Sequence, residues 1–134
     1  MTELEPGATT TAEHVVTEGD LASALSAVDH FPPVFATARM VALMEVAASR
    51  GMLPVLGEGE LSVGVSVDVT HSAATPPGST VRASAKFVGV EGKLYVFEVT
   101  AEDEGGEIGR GIHRRAVVHA DRLLAGAARR TGRA

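Results

Sequence analysis

The sequence predicts an α+β fold in which an antiparallel sheet curls around one long helix. A segment that begins at Pro33 carries apolar side chains at helical spacing, and these cover more of its circumference than a surface helix needs. Later segments alternate apolar and polar residues and are separated by short turns, as consecutive antiparallel strands are. We therefore expect one domain over residues 12–122, with a flexible N-terminus over residues 1–11 and a tail over residues 123–134.

The first elements are expected ahead of the long helix. Residues 13–17 have the composition of a strand, and Asp20 is a candidate N-cap for a short helical segment that extends to Ala27. Proline suits the first turn of a helix, so we place the start of the long helix at Pro33. Its end is marked by three helix-stopping residues, Arg50, Gly51 and Pro54.

Each of the later strands is expected to bury one face. The first has its apolar residues at odd-numbered positions, namely Leu61, Val63, Val65, Val67 and Val69. After a turn at residues 74–79, the second strand has an inner face of Val81, Ala83, Ala85 and Phe87. A hairpin at Glu91 and Gly92 leads to the third strand, with Tyr95, Phe97, Val99 and Ala101 on one face. The last strand covers residues 108–119, and the tail after it is either a short helix or solvated chain.

Composition disfavours several classes of function. Of the 134 residues, 45% are hydrophobic and 22% are charged, which is the balance of an ordinary globular protein. A formal net charge of -5 repels nucleic acid, and the absence of cysteine removes disulfides and thiolate chemistry. There is no signal-peptide pattern and no apolar run long enough to span a bilayer. We expect a cytoplasmic protein that binds neither nucleic acid nor membrane.

Glu45 is the most informative charged residue, because it lies in the middle of the helix among Val41, Met44, Val46 and Ala48. Two interpretations are open. The carboxylate faces solvent through a gap in the packing or pairs with an arginine, since buried carboxylates are rare without a partner. Alternatively, it is a partly desolvated group that serves as a general base or a nucleophile.

His71 continues the odd-numbered face of its strand, so we expect it to point toward the helix. A lone histidine on an apolar face is commonly a hydrogen-bonded core residue. A position at the end of a strand, beside a Pro-Gly turn, also suits a catalytic group, because functional sites collect where elements end.

Thr37 lies near the helix start, where its hydroxyl either caps free backbone amides or contacts a substrate. Thr37 and Glu45 are separated by roughly 12 Å along the helix axis, so they are not expected to bond to each other within one helix. They would act on different parts of a site, or across two subunits.

Two strand residues are further candidates. Gly64 weakens its strand unless another backbone or a ligand approaches closely, although packing alone also explains it. Arg115 shares a strand face with Gly109, Gly111 and His113, and its guanidinium either binds a carboxylate or phosphate oxygen or lies in solvent. We expect no metal site, because no metal-ligand spacing is present, and we find no phosphate-binding glycine loop or serine-nucleophile elbow.

Several motifs occur in order along the chain: FPPVFAT at residues 31–37, MVALME at 40–45, VTHSAATPPG at 69–78, EIG at 107–109 and GIHRRAV at 111–117. Together they resemble the fluoroacetyl-CoA thioesterase family of hotdog-fold proteins. The resemblance covers most of the chain and leaves out only the N-terminal part and the tail. It implies a hotdog fold and an obligate homodimer with sites at the subunit interface.

The resemblance also implies roles for individual residues. It assigns catalysis on an acyl thioester to three of them, Thr37, Glu45 and His71. It assigns contacts with the acyl end to Gly64 and Arg115, and an aromatic lid over the acyl pocket to Phe31. The sequence departs from the family pattern at Val28, where the fluoroacetate-specific enzyme has a second lid phenylalanine.

The function implied is hydrolysis of a small acyl-CoA to the free acid and CoA. Glu45 is the nucleophile or the base for water, His71 assists proton transfer and Thr37 orients the thioester carbonyl. No cofactor is expected apart from the CoA that the substrate carries. Two other functions stay open, a hydratase or dehydratase of enoyl or hydroxyacyl thioesters and a non-catalytic acyl-CoA-binding module. A carboxylate within an apolar helix favours an enzyme, because a simple binder gains little from desolvating it.

Overall fold

The computed structural model describes residues 3–133, which form a five-stranded antiparallel sheet and two α-helices. The elements are β1 (Thr9–Val15), α1 (Thr37–Met52), β2 (Glu60–His71), β3 (Thr80–Glu91), β4 (Leu94–Asp103), β5 (Gly106–His119) and α2 (Ala120–Thr131). The strand order is β1-β3-β4-β5-β2, so β1 and β2 form the two edges of the sheet.

The core lies between α1 and the sheet. The helix buries Met40, Met44, Ala47, Ala48 and Met52. The buried residues of β3 and β4 include the alternating positions that the sequence predicted, Val81, Ala83, Ala85, Phe87, Phe97, Val99 and Ala101. The helix and sheet approach so closely that a Cβ atom on Gly109 would lie 2.6 Å from the Met40 sulfur. The prediction of an α+β fold with a sheet around one long helix is confirmed.

Regular secondary structure begins earlier than the sequence indicated. β1 starts at Thr9, which pairs with Lys86 of β3. The assignment of residues 9–11 to a flexible terminus is therefore wrong. No apolar period is visible in this segment because β1 is an edge strand and Ala12 is its one buried residue.

The segment around Asp20 forms 3-10 turns at Glu18–Asp20 and Ala22–Ala24 in place of the short helix expected up to Ala27. Asp20 does not cap this segment at its start. It lies at the end of the first turn, where its carboxylate accepts hydrogen bonds from the Thr17 backbone N–H at 2.7 Å and the Thr17 hydroxyl at 2.8 Å. Thr17 is the N-cap residue.

The long helix starts at Thr37 and not at Pro33. The backbone N–H groups of Phe35 and Ala36 donate to the Thr75 and Asp20 carbonyl oxygens, and Phe35 forms a β-bridge with Leu21, so this segment is tied to neighbouring chain in an extended form. Ala36, the N-cap residue, is still extended with ψ of 141°. The helix then continues through Gly51 to Met52. One of its faces, which includes Val46, is exposed in the single chain.

β2 changes face in its middle. Its pairing with β5 shifts between Gly64 and Ser66, which is the signature of a β-bulge. Gly64 lies opposite Arg115 and Val67 lies opposite His113, and both of these β5 residues belong to the inner face. The inner face of β2 therefore carries even-numbered residues before the bulge and odd-numbered residues after it.

The bulge corrects the prediction of one apolar face along β2. Leu61 and Val63 pair with Val118 and Ala116 on the outer side of the sheet. After the bulge the predicted phase holds, and His71 lies on the helix side, opposite Gly109.

The tail is helical over most of its length, which is one of the two forms that the sequence left open. α2 follows β5 without a break, so the expected boundary between residues 122 and 123 falls inside this helix. Its leucines, Leu123 and Leu124, are exposed. Neither helix within residues 3–133 has the length and apolar character required to cross a membrane.

Candidate active site

Thr37 and His71 form the first polar pair of the site. Thr37 is the first residue of α1, and its hydroxyl makes no helix-capping hydrogen bond. Its Oγ1 instead lies 2.8 Å from Nδ1 of His71, the last residue of β2. The interpretation of Thr37 as a helix cap is therefore wrong, and the hydroxyl is committed to the histidine.

The Thr37–His71 pair borders a cavity of about 440 Å³. Its wall is mainly apolar and comes from the segment before α1, the first turn of α1 and the chain just after β2. The lining residues include Ala22, Leu25, Phe31, Pro32, Val34, Phe35, Ala38, Ser72, Ala73 and Ala74. An apolar wall with a few convergent polar groups is typical of a site for a small organic ligand.

One of the two ring nitrogens of His71 is not used in a hydrogen bond among the described residues. Its Nε2 is buried and has no hydrogen-bond partner within residues 3–133. Burial lowers the pKa of His71, against a smaller opposing effect of the Ala73 backbone, so the ring is neutral near pH 7. If the Thr37 hydroxyl donates to Nδ1, Nε2 carries the only ring proton and is a free donor. A buried donor without a partner in a cavity wall is available to an oxygen of a ligand.

Glu45 belongs to a second polar cluster further along α1. Arg115 donates from Nη1 to Glu45 Oε2 at 2.9 Å. The arginine side chain is 6% exposed and the glutamate side chain is 43% exposed. The structure therefore shows the arginine pairing considered for Glu45. This pairing does not use the whole carboxylate, because Oε1 has no hydrogen-bond partner among the described residues.

Most N–H groups of the Arg115 guanidinium are hydrogen-bonded to other residues of the chain. Its Nε donates to Ser62 Oγ at 3.0 Å, its Nη2 donates to the Ser62 carbonyl at 3.0 Å, and its Nη1 lies 3.1 Å from His113 Nε2. With the bond to Glu45, four of its five N–H groups are engaged. One N–H is left for the substrate contact that the sequence resemblance implied.

Gly64 provides the space in which the Glu45 carboxylate lies. A Cβ atom at this position would collide with Glu45 Oε2 and would lie 3.1 Å from Glu45 Cδ and 3.2 Å from His113 Cε1. The close approach that the strand glycine suggested is thus made by a side chain of the same subunit. The β-bulge makes this contact possible, because it turns Gly64 toward the helix.

Of the two residues expected at the acyl lid, only Phe31 lines the cavity, and it is 44% exposed. Val28 is 76% exposed and does not line it. The structure of one chain thus brings Phe31, Thr37 and His71 together. It does not bring Val28 to them.

The two polar clusters are not in contact within one chain. Thr37 bonds to His71, whereas Glu45 bonds to Arg115, and the two helical residues are separated by roughly 12 Å along α1. A carboxylate, a neutral histidine and a hydroxyl can perform nucleophilic and acid-base chemistry if they converge on one substrate. The described residues contain no group of three or more histidine, aspartate or glutamate side chains placed to hold a metal ion.

Two members of the second cluster, His113 and Ser62, were not predicted as site residues. His113 was noted only as sharing a strand face with Arg115, although an inward histidine two residues from an inward arginine is a signal for a polar network. Ser62 gave no signal, because the bulge places it on the inner face against the apparent alternation of the strand.

Comparison with known proteins agrees with this fold. A family model described as fluoroacetyl-CoA-specific thioesterase matches residues 16–121. The fluoroacetyl-CoA thioesterase of Streptantibioticus cattleyicolor is 50% identical over 95 residues, which cover 71% of this chain and 68% of that protein. A variant of the fluoroacetyl-CoA thioesterase solved in complex with acetyl-CoA superposes with a TM-score of 0.89 at 40% identity, covering 96% of this chain and 99% of that chain. A Thermus thermophilus protein described as a thioesterase superfamily member superposes with a TM-score of 0.88 at 32% identity, covering 99% and 97%.

The fold and these relatives define a hotdog-fold thioesterase, an enzyme that hydrolyses thioesters. Within that class, the chain belongs to the fluoroacetyl-CoA-specific thioesterase family. The family resemblance found in the sequence motifs is thereby confirmed.

Gly64→Ala is expected to reduce turnover without unfolding the protein. The added methyl group collides with Glu45 Oε2, and the flexible carboxylate moves away from Arg115. A misplacement of about 1 Å costs about 100-fold in rate, so we expect a fall in kcat of that order, measured as thiol release from an acyl-CoA. Gly19→Ala is the matched control, because a Cβ there has no neighbour closer than 4.0 Å. Equal kcat values for the two variants would contradict this account of Gly64.

Proposed function

We propose that this protein hydrolyses a short acyl-CoA, such as fluoroacetyl-CoA or acetyl-CoA, to the free acid and CoA. One observation carries the proposal. The Glu45 carboxylate is held through Oε2 by a buried arginine, and its Oε1 is open. A carboxylate that is fixed at one oxygen and free at the other can take a proton from water or attack a carbonyl carbon with the free oxygen.

Glu45 acts on the thioester by one of two routes. As a general base, it takes a proton from water, the water oxygen attacks the carbonyl carbon, and the carbon–sulfur bond breaks as CoA leaves with a proton. As a nucleophile, Oε1 bonds to the carbonyl carbon and displaces CoA, and water then hydrolyses the resulting anhydride. In both routes His71 offers the Nε2 proton to the charge that develops on the carbonyl oxygen or on the leaving sulfur. Thr37 holds the ring in place.

The site is complete only in a homodimer. β2 is an edge strand of 12 residues, and its middle exposes Val65 at 52% and Val67 at 41%. A long apolar edge strand is unusual on an isolated protein, because it offers unpaired backbone groups to another chain. A second copy of this chain that pairs along β2 would cover that edge and would also approach the open face of α1.

A two-fold axis that passes midway between the two polar clusters would bring each cluster next to the other cluster of the partner subunit. An axis that crosses α1 near Val41 places Thr37 opposite the partner subunit's Glu45, since both lie four residues from Val41. The same axis, if it crosses β2 between Val67 and Asp68, would place His71 opposite the partner subunit's Gly64. One isologous interface thus brings the Thr37–His71 pair of one protomer to the Glu45–Arg115 pair of the other, and it does so twice.

The proposal is tested with purified protein and a panel of acyl-CoA esters that includes acetyl, fluoroacetyl, propionyl, crotonyl and 3-hydroxybutyryl groups. We expect release of a free thiol, fastest with acetyl and fluoroacetyl groups, because the similar enzymes are described as acting on or binding these esters. Hydration of the crotonyl double bond without thiol release would instead indicate a hydratase. Saturable binding with no reaction on any ester would indicate a binding module, and either result would overturn the proposal.

A further inference from the structure

His113 is placed between the β2 bulge and Arg115. It is 1% exposed on the inner face of β5. Its Nδ1 lies 2.9 Å from the Ser66 carbonyl oxygen, and its Nε2 lies 3.1 Å from Arg115 Nη1. A carbonyl oxygen can only accept a hydrogen bond and a guanidinium can only donate, so these partners require a proton on Nδ1 and a lone pair on Nε2. His113 is therefore a neutral ring with both nitrogens in use.

We propose that His113 is a positioning residue that fixes the Arg115 guanidinium, and through it the Glu45 carboxylate, by accepting a hydrogen bond from Nη1. The inference rests on the proposed function of Glu45 and deepens it. His113 acts on the reaction only through Arg115.

The geometry of the guanidinium explains why an acceptor is needed at this point. Nη1 carries two N–H groups, one of which points to Glu45 Oε2 and the other to His113 Nε2. The group is planar and rigid, so fixing one of these directions fixes the other. Ser62 holds the opposite side of the plane through Nε and Nη2. Without the His113 acceptor, a buried N–H loses its partner, and the guanidinium must turn away from Glu45 to satisfy it.

The surroundings keep His113 in the neutral form that this role requires. Burial is the largest effect and lowers the pKa of His113; the hydrogen bond to the Ser66 carbonyl raises it by less, the Arg115 charge lowers it further and the Glu45 charge raises it least. Arg115 on β5 and Glu45 on α1 are the charged groups that face the ring. The neighbouring strands pair Val67 and Phe97 with it, and neither is charged.

The two ring nitrogens of His113 have different partners, so two substitutions can separate a positioning role from a structural one. His113→Asn keeps an N–H close to the Nδ1 position for the Ser66 carbonyl but carries no acceptor that reaches Arg115. His113→Gln places an amide oxygen near the Nε2 position and so retains the acceptor. The Asn variant is the test, and the Gln variant is the conservative rescue.

For thiol release we expect His113→Asn to lower kcat about 10- to 100-fold with KM changed by less than about threefold, because the carboxylate is misplaced while the cavity is intact. We expect His113→Gln to stay within about threefold of the native kcat. Equal losses in both variants would indicate a structural residue and overturn the proposal, as would native turnover in His113→Asn.

A second measurement does not depend on turnover or on the variants being stable. Nitrogen-15 NMR of the native protein at neutral pH is expected to show His113 protonated at Nδ1 only and an exchange-protected Nη1–H signal from Arg115, because Nη1 is the nitrogen that donates to His113 Nε2. Where the variants fold, this arginine signal should be lost in His113→Asn and retained in His113→Gln. Failure of thiol release with the expected spectra would refute the proposed function and leave the hydrogen-bond geometry standing. An Nε2-protonated or doubly protonated His113 would refute the positioning role itself.

Discussion

Glu45→Gln is expected to lower kcat for acyl-CoA hydrolysis by about 100- to 10,000-fold, which is the usual cost of removing a general base. Glutamine has nearly the same shape as glutamate, and its amide oxygen can still accept the hydrogen bond that Arg115 Nη1 donates to Oε2. Its neutral amide can neither take a proton from water nor attack a carbonyl carbon. The variant is therefore expected to fold and to bind substrate, and to fail in the chemical step. The measurement is thiol release under saturating acyl-CoA, together with thermal unfolding of both proteins.

The matched control for this experiment is Glu91→Gln. Glu91 also pairs with an arginine, accepting from Arg114 Nε at 3.1 Å, but its side chain is exposed and lies outside the site. Exposed ion pairs contribute little to stability, so this control should retain native kcat and unfold close to the native temperature. A folded Glu45→Gln protein with normal turnover would remove Glu45 from the mechanism.

Much of the fold could be predicted from the sequence because most strands bury a single face. In β3, Val81 and Phe87 belong to one alternating series, and that series is buried along the strand. β2 shows the limit of the method. Its apolar residues alternate without interruption from Leu61 to Val69, yet the register shifts between Gly64 and Ser66. A bulge inserts one residue while the apolar and polar residues continue to alternate in the sequence. The two faces of the strand therefore exchange without any sign of it in the sequence.

The sequence named candidate site residues but did not indicate their contacts. The motifs identified Thr37, Glu45 and His71, while the partner of each depends on where its element begins or bends. Thr37 reaches His71 because the helix starts at Thr37 and not at Pro33. Arg115 meets Glu45 because the bulge turns Gly64 inward and leaves room for the carboxylate. Such contacts are tertiary, and no local pattern in the sequence encodes them.

The largest gain of activity is expected from mixing two inactive variants. His71→Asn and Glu45→Gln homodimers should each be about 100- to 10,000-fold slower than the native protein, because both of their sites lack a reacting group. In a heterodimer of the two, one site combines both altered residues. The other site combines the native His71 of one chain with the native Glu45 of its partner. A heterodimer isolated with two different affinity tags is therefore expected to show about half of the native kcat per dimer.

This recovery discriminates between sites shared by two chains and sites contained in one. If each chain held a complete site, every site in the heterodimer would carry one substitution, and mixing would restore nothing. Within one chain, Glu45 bonds to Arg115 and Thr37 bonds to His71 without a contact between the pairs, so a site in one chain would need a rearrangement of α1 or β2. A heterodimer no faster than its parents would thus reject the two-fold arrangement, and a chain that stays monomeric at assay concentration would reject it sooner. Recovery near one half would show that each working site takes His71 from one chain and Glu45 from its partner.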